Sequence, residues 1–146
     1  MSHTTNPAFT PAILGQTEKA LNAILGRHLA GTGVSEPQWV ILSVAIAGDE
    51  AVDRGEFAGQ VAGVLKVSEA DADAQIGELA AARMLDVSDG EVKPSEAGQE
   101  LHSRIRVAVT EITQRMWGDL PAEDLAVTAR VLGTILARAD TELAGA

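Results

Sequence analysis

Residues 68–98 read SEADADAQIGELAAARMLDVSDGEVKPSEAG, and the signals along this stretch predict a helix, a two-stranded ribbon and a second helix. Ser68 is a good helix N-cap, and the acids that follow it suit the first turn of a helix. Asp89-Gly90 between two valines is the strongest short hairpin signal available. Ser95 follows a proline and can cap the next helix. This order outlines a winged helix-turn-helix unit, an architecture in which the helix before the ribbon, here residues 68–82, would enter the DNA major groove.

The charge of the helix over residues 68–82 does not suit the DNA-binding role that this architecture would give it. Residues 68–82 contain four acids and no base until Arg83, the acids being Glu69, Asp71, Asp73 and Glu78. Affinity for duplex DNA comes mostly from cations that replace counterions on phosphates, and base recognition comes from donors such as Arg, Asn and Gln. Gln75 is the one conventional base reader in the segment. Two interpretations therefore stay open: an unusual DNA reader, or a winged unit that has lost DNA binding.

Composition limits the class of protein. The 146 residues suit one domain, and a chain that is 46% hydrophobic but 3% aromatic favours helices packed through small side chains. The absence of cysteine excludes disulfides and thiolate metal sites. A formal charge of −10 repels polyanions at long range, although a local basic patch can override it. No apolar run is long enough to span a bilayer and the N-terminus has no signal-peptide pattern, so we expect a cytoplasmic protein.

Apolar periodicity predicts a mainly α fold with a small β-hairpin wing. We expect a flexible arm over residues 1–12 and a single domain over 13–146. Within it, a winged unit over about 35–95 is flanked by long helices over about 13–30 and 96–144. Ser35 and Gln38 form a capping box that starts the central helix. The last helix also carries apolar residues off its main stripe, which indicates a second contact surface and predicts a homodimer.

Four short motifs, in this order and spacing, resemble the MarR (multiple antibiotic resistance regulator) family of bacterial regulators. They are Ser35-Glu36-Pro37-Gln38-Trp39, Leu79-x4-Met84-Leu85, Val92-Lys93-Pro94-Ser95-x-x-Gly98 and Leu120-Pro121-Ala122-Glu123-Asp124-Leu125. The resemblance covers the chain from Ile13 to Leu143. It implies a winged helix-turn-helix fold, an obligate dimer, binding to a palindromic operator, and release by a small aromatic or phenolic ligand.

Two departures from the family pattern bear on DNA binding. The family commonly has glycine before the apolar pair that closes the recognition helix, and this chain has Arg83. The family also commonly has a longer wing with an Asp-x-Arg element, whereas the wing here is cut to residues 88–91 and holds no arginine. The side chains that we expect to meet double-stranded DNA are Lys66, Ser68, Ala72, Gln75, Arg83 and Lys93.

A ligand site is predicted from bulky aromatic and basic residues on the helices that would line a cleft beside the winged unit. These residues are Arg27, His28, Trp39, His102 and Trp117. The alternative is a satisfied, partly buried histidine and tryptophans that only pack. The three histidines share no metal-ligand spacing, and no phosphate loop or nucleophile motif is present. We therefore expect no metal, no cofactor and no catalysis.

The sequence thus favours a dimeric, ligand-responsive repressor that binds DNA. The alternative is a winged-helix dimer that has lost DNA binding and acts as a small-ligand or protein-binding module. A neighbouring divergent gene, with a palindrome between the two genes, would favour the repressor.

Overall fold

The computed structural model describes residues 7–145 and contains six helices and one small sheet in that range. The helices are α1 (Pro11–Leu29), α2 (Glu36–Gly48), α3 (Arg54–Leu65), α4 (Glu69–Ala81), α5 (Glu96–Trp117) and α6 (Ala122–Ala144). The strands are β1 (Val52–Asp53), β2 (Leu85–Ser88) and β3 (Glu91–Pro94). The predicted fold class, mainly α with a hairpin wing, is confirmed. The first half of the predicted N-terminal arm, residues 1–6, lies outside the described residues, and α1 already begins at Pro11.

Side-chain caps set where the helices of the winged unit begin. At α2 the predicted capping box is present: the Gln38 backbone N–H donates to Ser35 Oγ at 3.3 Å, and the Ser35 N–H donates to Gln38 Oε1 at 3.1 Å. Ser68 Oγ accepts from the Asp71 backbone N–H at 3.1 Å and so starts α4. Each cap satisfies N–H groups that have no partner inside their own helix. The caps thereby fix the N-termini of α2 and α4, the two helices that border the candidate site.

The wing is an antiparallel hairpin whose turn has the predicted chemistry. Asp89 and Gly90 have φ values of 53° and 75°, as a two-residue hairpin turn with two left-handed positions requires. Val87 pairs with Val92 across β2 and β3. The two-residue strand β1 adds to the other side of β3, giving the order β1-β3-β2. The sequence did not reveal β1, because two residues are too short to show an alternating pattern.

The core lies inside the winged unit and is closed by the first half of α5. Its largest fully buried side chains come from four elements: Ile41, Leu42, Phe57, Val61, Ile76, Leu79 and Leu85. Leu101 and Ile105 of α5 join the same cluster at 4% exposure each. This apolar packing orients α4 and the wing against α2 and α3.

The chain divides into two compact units, Met1–Val109 and Thr110–Ala146, with the boundary inside α5. The first contains the winged helix-turn-helix. The second contains the end of α5 and all of α6, and none of the α6 residues is buried. Several large apolar side chains of α6 are instead exposed, namely Val127, Val131, Leu132, Leu136 and Leu143.

Candidate nucleic-acid interface and ligand site

The α3-turn-α4 arrangement places several predicted DNA contacts on exposed positions. Lys66 ends α3 in a left-handed conformation (φ 60°), and its Nζ donates to the Gly63 carbonyl at 2.8 Å. Ser68 follows as the exposed cap of α4. Lys93 is exposed on β3, opposite Asp86 of β2. Cations and N-terminal groups of this kind suit phosphate contacts.

Two residues of the predicted interface face inward. Ala72 has 0% of its surface exposed, so it cannot touch a base; this corrects its place among the predicted DNA contacts. It occupies the core face of α4, where a small side chain permits close packing against the neighbouring helices. Gln75 is half-buried, and its Oε1 accepts a hydrogen bond from Gln38 Nε2 at 2.9 Å. A bidentate contact with adenine needs both ends of the amide, so Gln75 has only its N–H groups available while this bond lasts.

An open groove of about 350 Å³ lies beside the N-terminus of α4. Its lining combines acids with apolar side chains: Glu36, Pro37, Leu65, Val67, Asp71, Ala74 and Gln75. Burial raises the pKa of Glu36, and the nearby carboxylate of Glu18 raises it further. Val67 at the groove is 40% exposed. The groove therefore presents an acidic and partly apolar surface beside the first turns of α4.

Among the predicted ligand residues, the structure brings Trp39 and His102 together. Their rings stack with centroids 4.5 Å apart and planes 14° from parallel. Ser43 Oγ donates to the Trp39 carbonyl at 2.9 Å and lies 3.1 Å from His102 Nε2. Because the one hydroxyl proton of Ser43 points to that carbonyl, Nε2 donates to Oγ. This assigns the neutral His102 ring a proton on Nε2 and an acceptor at Nδ1.

The other predicted ligand residues are placed separately. Arg27 is exposed and His28 is half-buried, both in the last turn of α1. Within residues 7–145, no hydrogen bond, ion pair or ring contact joins either of them to the Trp39–His102 stack. Trp117 ends α5 in the second unit and is 39% exposed. Their role in ligand binding stays a prediction.

His102 should make folding dependent on pH. Burial lowers its pKa, and the positive charge of Arg106 lowers it further. The unfolded chain therefore takes up this proton first as the pH falls. The neutral His102 ring therefore contributes its full share to the free energy of unfolding above about pH 6.5, the pKa in the unfolded chain. That contribution is lost as the pH falls through the pKa of His102 in the folded protein, which is lower. We expect the free-energy gap in urea unfolding between wild type and His102→Gln to shrink from pH 7.5 to pH 5.5. A gap that grows on acidification would contradict the assignment.

In the part of the chain that the structure describes, no group of three His, Cys, Asp or Glu side chains is arranged to hold a metal ion. Over the same residues, no helix combines the length and apolar character needed to cross a membrane.

No protein-family model matches the sequence, and no curated protein matches it. Solved structures do. A MarR protein from Peptoclostridium difficile superposes with a TM-score of 0.75 at 16% identity, over 97% of this chain and 96% of that one. CouR from Rhodococcus jostii RHA1 bound to p-coumaroyl-CoA gives 0.71 at 18% identity, over 85% and 89%. NadR in complex with 4-hydroxyphenylacetate gives 0.70 at 17%, over 93% and 98%. The chain has the MarR fold.

Arg83, which departs from the glycine common in the MarR pattern, has a strained backbone conformation. It is exposed directly after α4 and has a φ of 67°, a left-handed conformation that glycine adopts at no steric cost. The carbonyl of Arg83 accepts from Ser95 Oγ at 2.6 Å, which holds the strained residue in place. The chain thus keeps a cation where the MarR pattern commonly has glycine, at the edge of the recognition helix.

The winged unit of this MarR fold is strongly acidic. Residues 35–95 contain twelve acidic and four basic side chains, a formal charge of −8 out of −10 for the whole chain. The four cations are Arg54, Lys66, Arg83 and Lys93. Any DNA contact must therefore rely on these few cations, on backbone N–H groups and on capping side chains.

Arg54 is a cation of the winged unit that lies outside the predicted set of DNA contacts. It begins α3, and its Nε donates to Asp73 Oδ1 of α4 at 2.7 Å. Its backbone N–H donates to the Gly90 carbonyl at the tip of the wing, at 2.8 Å. The sequence already places Arg54 near the winged unit, but no sequence spacing links residues 19 positions apart on two helices, so only the fold reveals that Arg54 pairs with Asp73.

Proposed function

We propose that this protein is a DNA-binding transcriptional regulator of the MarR type, acting in the cytoplasm as a homodimeric, ligand-responsive repressor and not as an enzyme. The observation that carries the proposal is the complete winged helix-turn-helix, with a capped recognition helix and a hairpin wing. The MarR regulators that share the fold support the same role.

The homodimer is supported by α6. Its exposed leucines recur at spacings of four and seven residues, at Leu132, Leu136 and Leu143, with 39%, 54% and 61% of their surfaces exposed. Such a stripe is costly to leave in water and suits a twofold interface in which the same face meets itself. A dimer would present two recognition helices to the two halves of a palindromic operator.

We propose that DNA meets Lys66, Ser68, Gln75, Arg83 and Lys93 of each winged unit. The cations would supply affinity that does not depend on sequence, and Gln75 would supply base discrimination through its N–H groups. Binding should therefore be weak at physiological salt and should fall steeply as salt is raised.

The test is fluorescence anisotropy of a labelled random duplex pool, titrated with the folded protein at several salt concentrations. Lys93→Ala should weaken binding to all sequences alike, by roughly tenfold at 50 mM salt, and reduce the salt slope by about one per half-site. Lys19→Ala, an exposed lysine on α1, is the matched control and should leave the slope unchanged. Loss of sequence discrimination in Lys93→Ala without loss of affinity would contradict a phosphate-contact role.

A small aromatic effector is proposed to bind at the Trp39–His102 stack. CouR and NadR were solved with p-coumaroyl-CoA and 4-hydroxyphenylacetate, both of which contain an aromatic ring. The flat indole and a neutral imidazole offer stacking and a hydrogen-bond acceptor at Nδ1. Arg27 and His28 remain further candidates for a carboxylate, and Trp117 remains a sequence-based candidate for the ring.

The alternative function is a binding module that keeps the fold without reading DNA. The acidic groove beside α4 favours it, since Glu36 and Asp71 would repel phosphates but attract a basic partner. The anisotropy titration separates the two functions. No binding even at low salt, from a folded dimer, would exclude DNA reading and leave the alternative.

A further inference from the structure

Arg54 lies where α3, α4 and the wing meet. Its backbone N–H binds the Gly90 carbonyl at the wing tip, while its side chain reaches across to α4. The guanidinium packs on α4 at Gly77, where an added Cβ would lie 3.5 Å from its Nη2, an ordinary van der Waals distance. The guanidinium is therefore held against α4, while the backbone of the same residue is bound to the tip of the wing.

Asp73 engages this guanidinium much as a phosphate would. Arg54 Nε donates to Asp73 Oδ1 at 2.7 Å, and the Nη2 nitrogen lies 3.4 Å from both Oδ2 and the Asp73 backbone carbonyl. Carboxylates and phosphates both accept such forked bonds from arginine. The side chains are 33% and 51% exposed, so the pair lies at the surface and is accessible to a ligand from solvent.

We propose that Asp73 is a built-in competitor for the DNA phosphate that Arg54 would otherwise bind. This inference rests on the proposed function. An exposed ion pair is weak, so a phosphodiester can displace the carboxylate, but the displaced Asp73 then stands unpaired beside the duplex. Arg54 therefore adds little net affinity in the wild type. The recognition helix thus lowers DNA affinity in two ways. Its own negative charge repels phosphates, and its Asp73 pairs with the Arg54 guanidinium, which is then less available to a phosphate.

Asp73→Asn tests the proposal against Asp71→Asn. Both variants remove one negative charge from the same helix, but only the first releases Arg54. In the anisotropy titration, Asp73→Asn should bind on the order of fivefold tighter than Asp71→Asn at low salt, with a salt slope steeper by about one per half-site. Asp71→Asn should tighten binding modestly at an unchanged slope, because it removes only repulsion.

Arg54→Gln completes the cycle. Alone it should change the salt slope little, whereas in the Asp73→Asn background it should abolish the gain in slope and affinity. Additive effects of the two substitutions, or equal behaviour of Asp73→Asn and Asp71→Asn, would overturn the inference while leaving DNA binding intact. If neither wild type nor any folded variant binds at low salt, the inference and the proposed function both fail. Circular dichroism confirms folding of each variant.

Discussion

Gly98→Ala is expected to lower the free energy of unfolding by about 4 kcal/mol, among the largest effects of a single added methyl group. Gly98 is buried in the first turn of α5. A Cβ built on it would overlap the Met84 carbonyl oxygen and lie 3.2 Å from Leu42 Cδ1. A backbone carbonyl cannot rotate aside as a flexible side chain can, so α5 must shift from the turn that follows α4.

That shift would break more than one contact. Ser95 Oγ accepts from the Gly98 N–H at 2.9 Å and donates to the Arg83 carbonyl at 2.6 Å. The Ser95 N–H donates to the Met84 carbonyl at 3.1 Å. Moving α5 by the distance that an alanine needs would strain all three bonds at once. In the Ser-x-x-Gly element at the start of α5, Ser95 thus caps the helix and Gly98 lets the backbone of α5 lie close to the backbone at Met84.

Gly63→Ala is the control for this prediction. Gly63 lies in α3, and no atom would lie within 4 Å of a Cβ added there, so alanine should be neutral or stabilise by about 0.5–1 kcal/mol through helix propensity. Both variants are compared with wild type by urea unfolding at equal protein concentration. Equal stabilities for Gly98→Ala and wild type would show that α5 does not approach the turn closely enough to exclude a methyl group.

Local signals made the fold predictable from the sequence. The capping box at Ser35, the cap at Ser68 and the Asp89-Gly90 turn each act within four residues, so residue type alone determines their geometry. The helix starts predicted at Ser35, Ser68 and Ser95 consequently agree with the observed starts at Glu36, Glu69 and Glu96 to within one residue.

The candidate site was less predictable because its key contacts join distant positions. The Gln38–Gln75 bond spans 37 residues and the Arg54–Asp73 pair spans 19, and neither leaves a periodic trace. Ala72 illustrates a related difficulty. It lies near the exposed N-terminus of α4, and this position in the sequence suggested a contact with DNA. Its side chain, however, lies on the buried face of the helix and points into the core.

Leu136→Asp is expected to convert the proposed homodimer into monomers. In a twofold interface each substitution occurs twice, and burying an unpaired carboxylate costs several kcal/mol per ion. The lost leucine burial adds about 2 kcal/mol per side. Together these terms should weaken the dimer at least about a thousandfold. Light scattering after size exclusion should then give 15.2 kDa, the mass of one chain, in place of about twice that value for wild type.

Ala137→Asp is the matched control for Leu136→Asp. Ala137 is the next residue of α6, is likewise exposed to solvent, and lies about 100° round the helix, away from the stripe of Leu132, Leu136 and Leu143. The two variants add the same charge to the same stretch of helix. If both stay dimeric, the leucine stripe is not the interface; if both dissociate, charge on α6 matters but its position does not. Only dissociation confined to Leu136→Asp, with DNA binding weakened in parallel, links the stripe to a dimer that reads two half-sites.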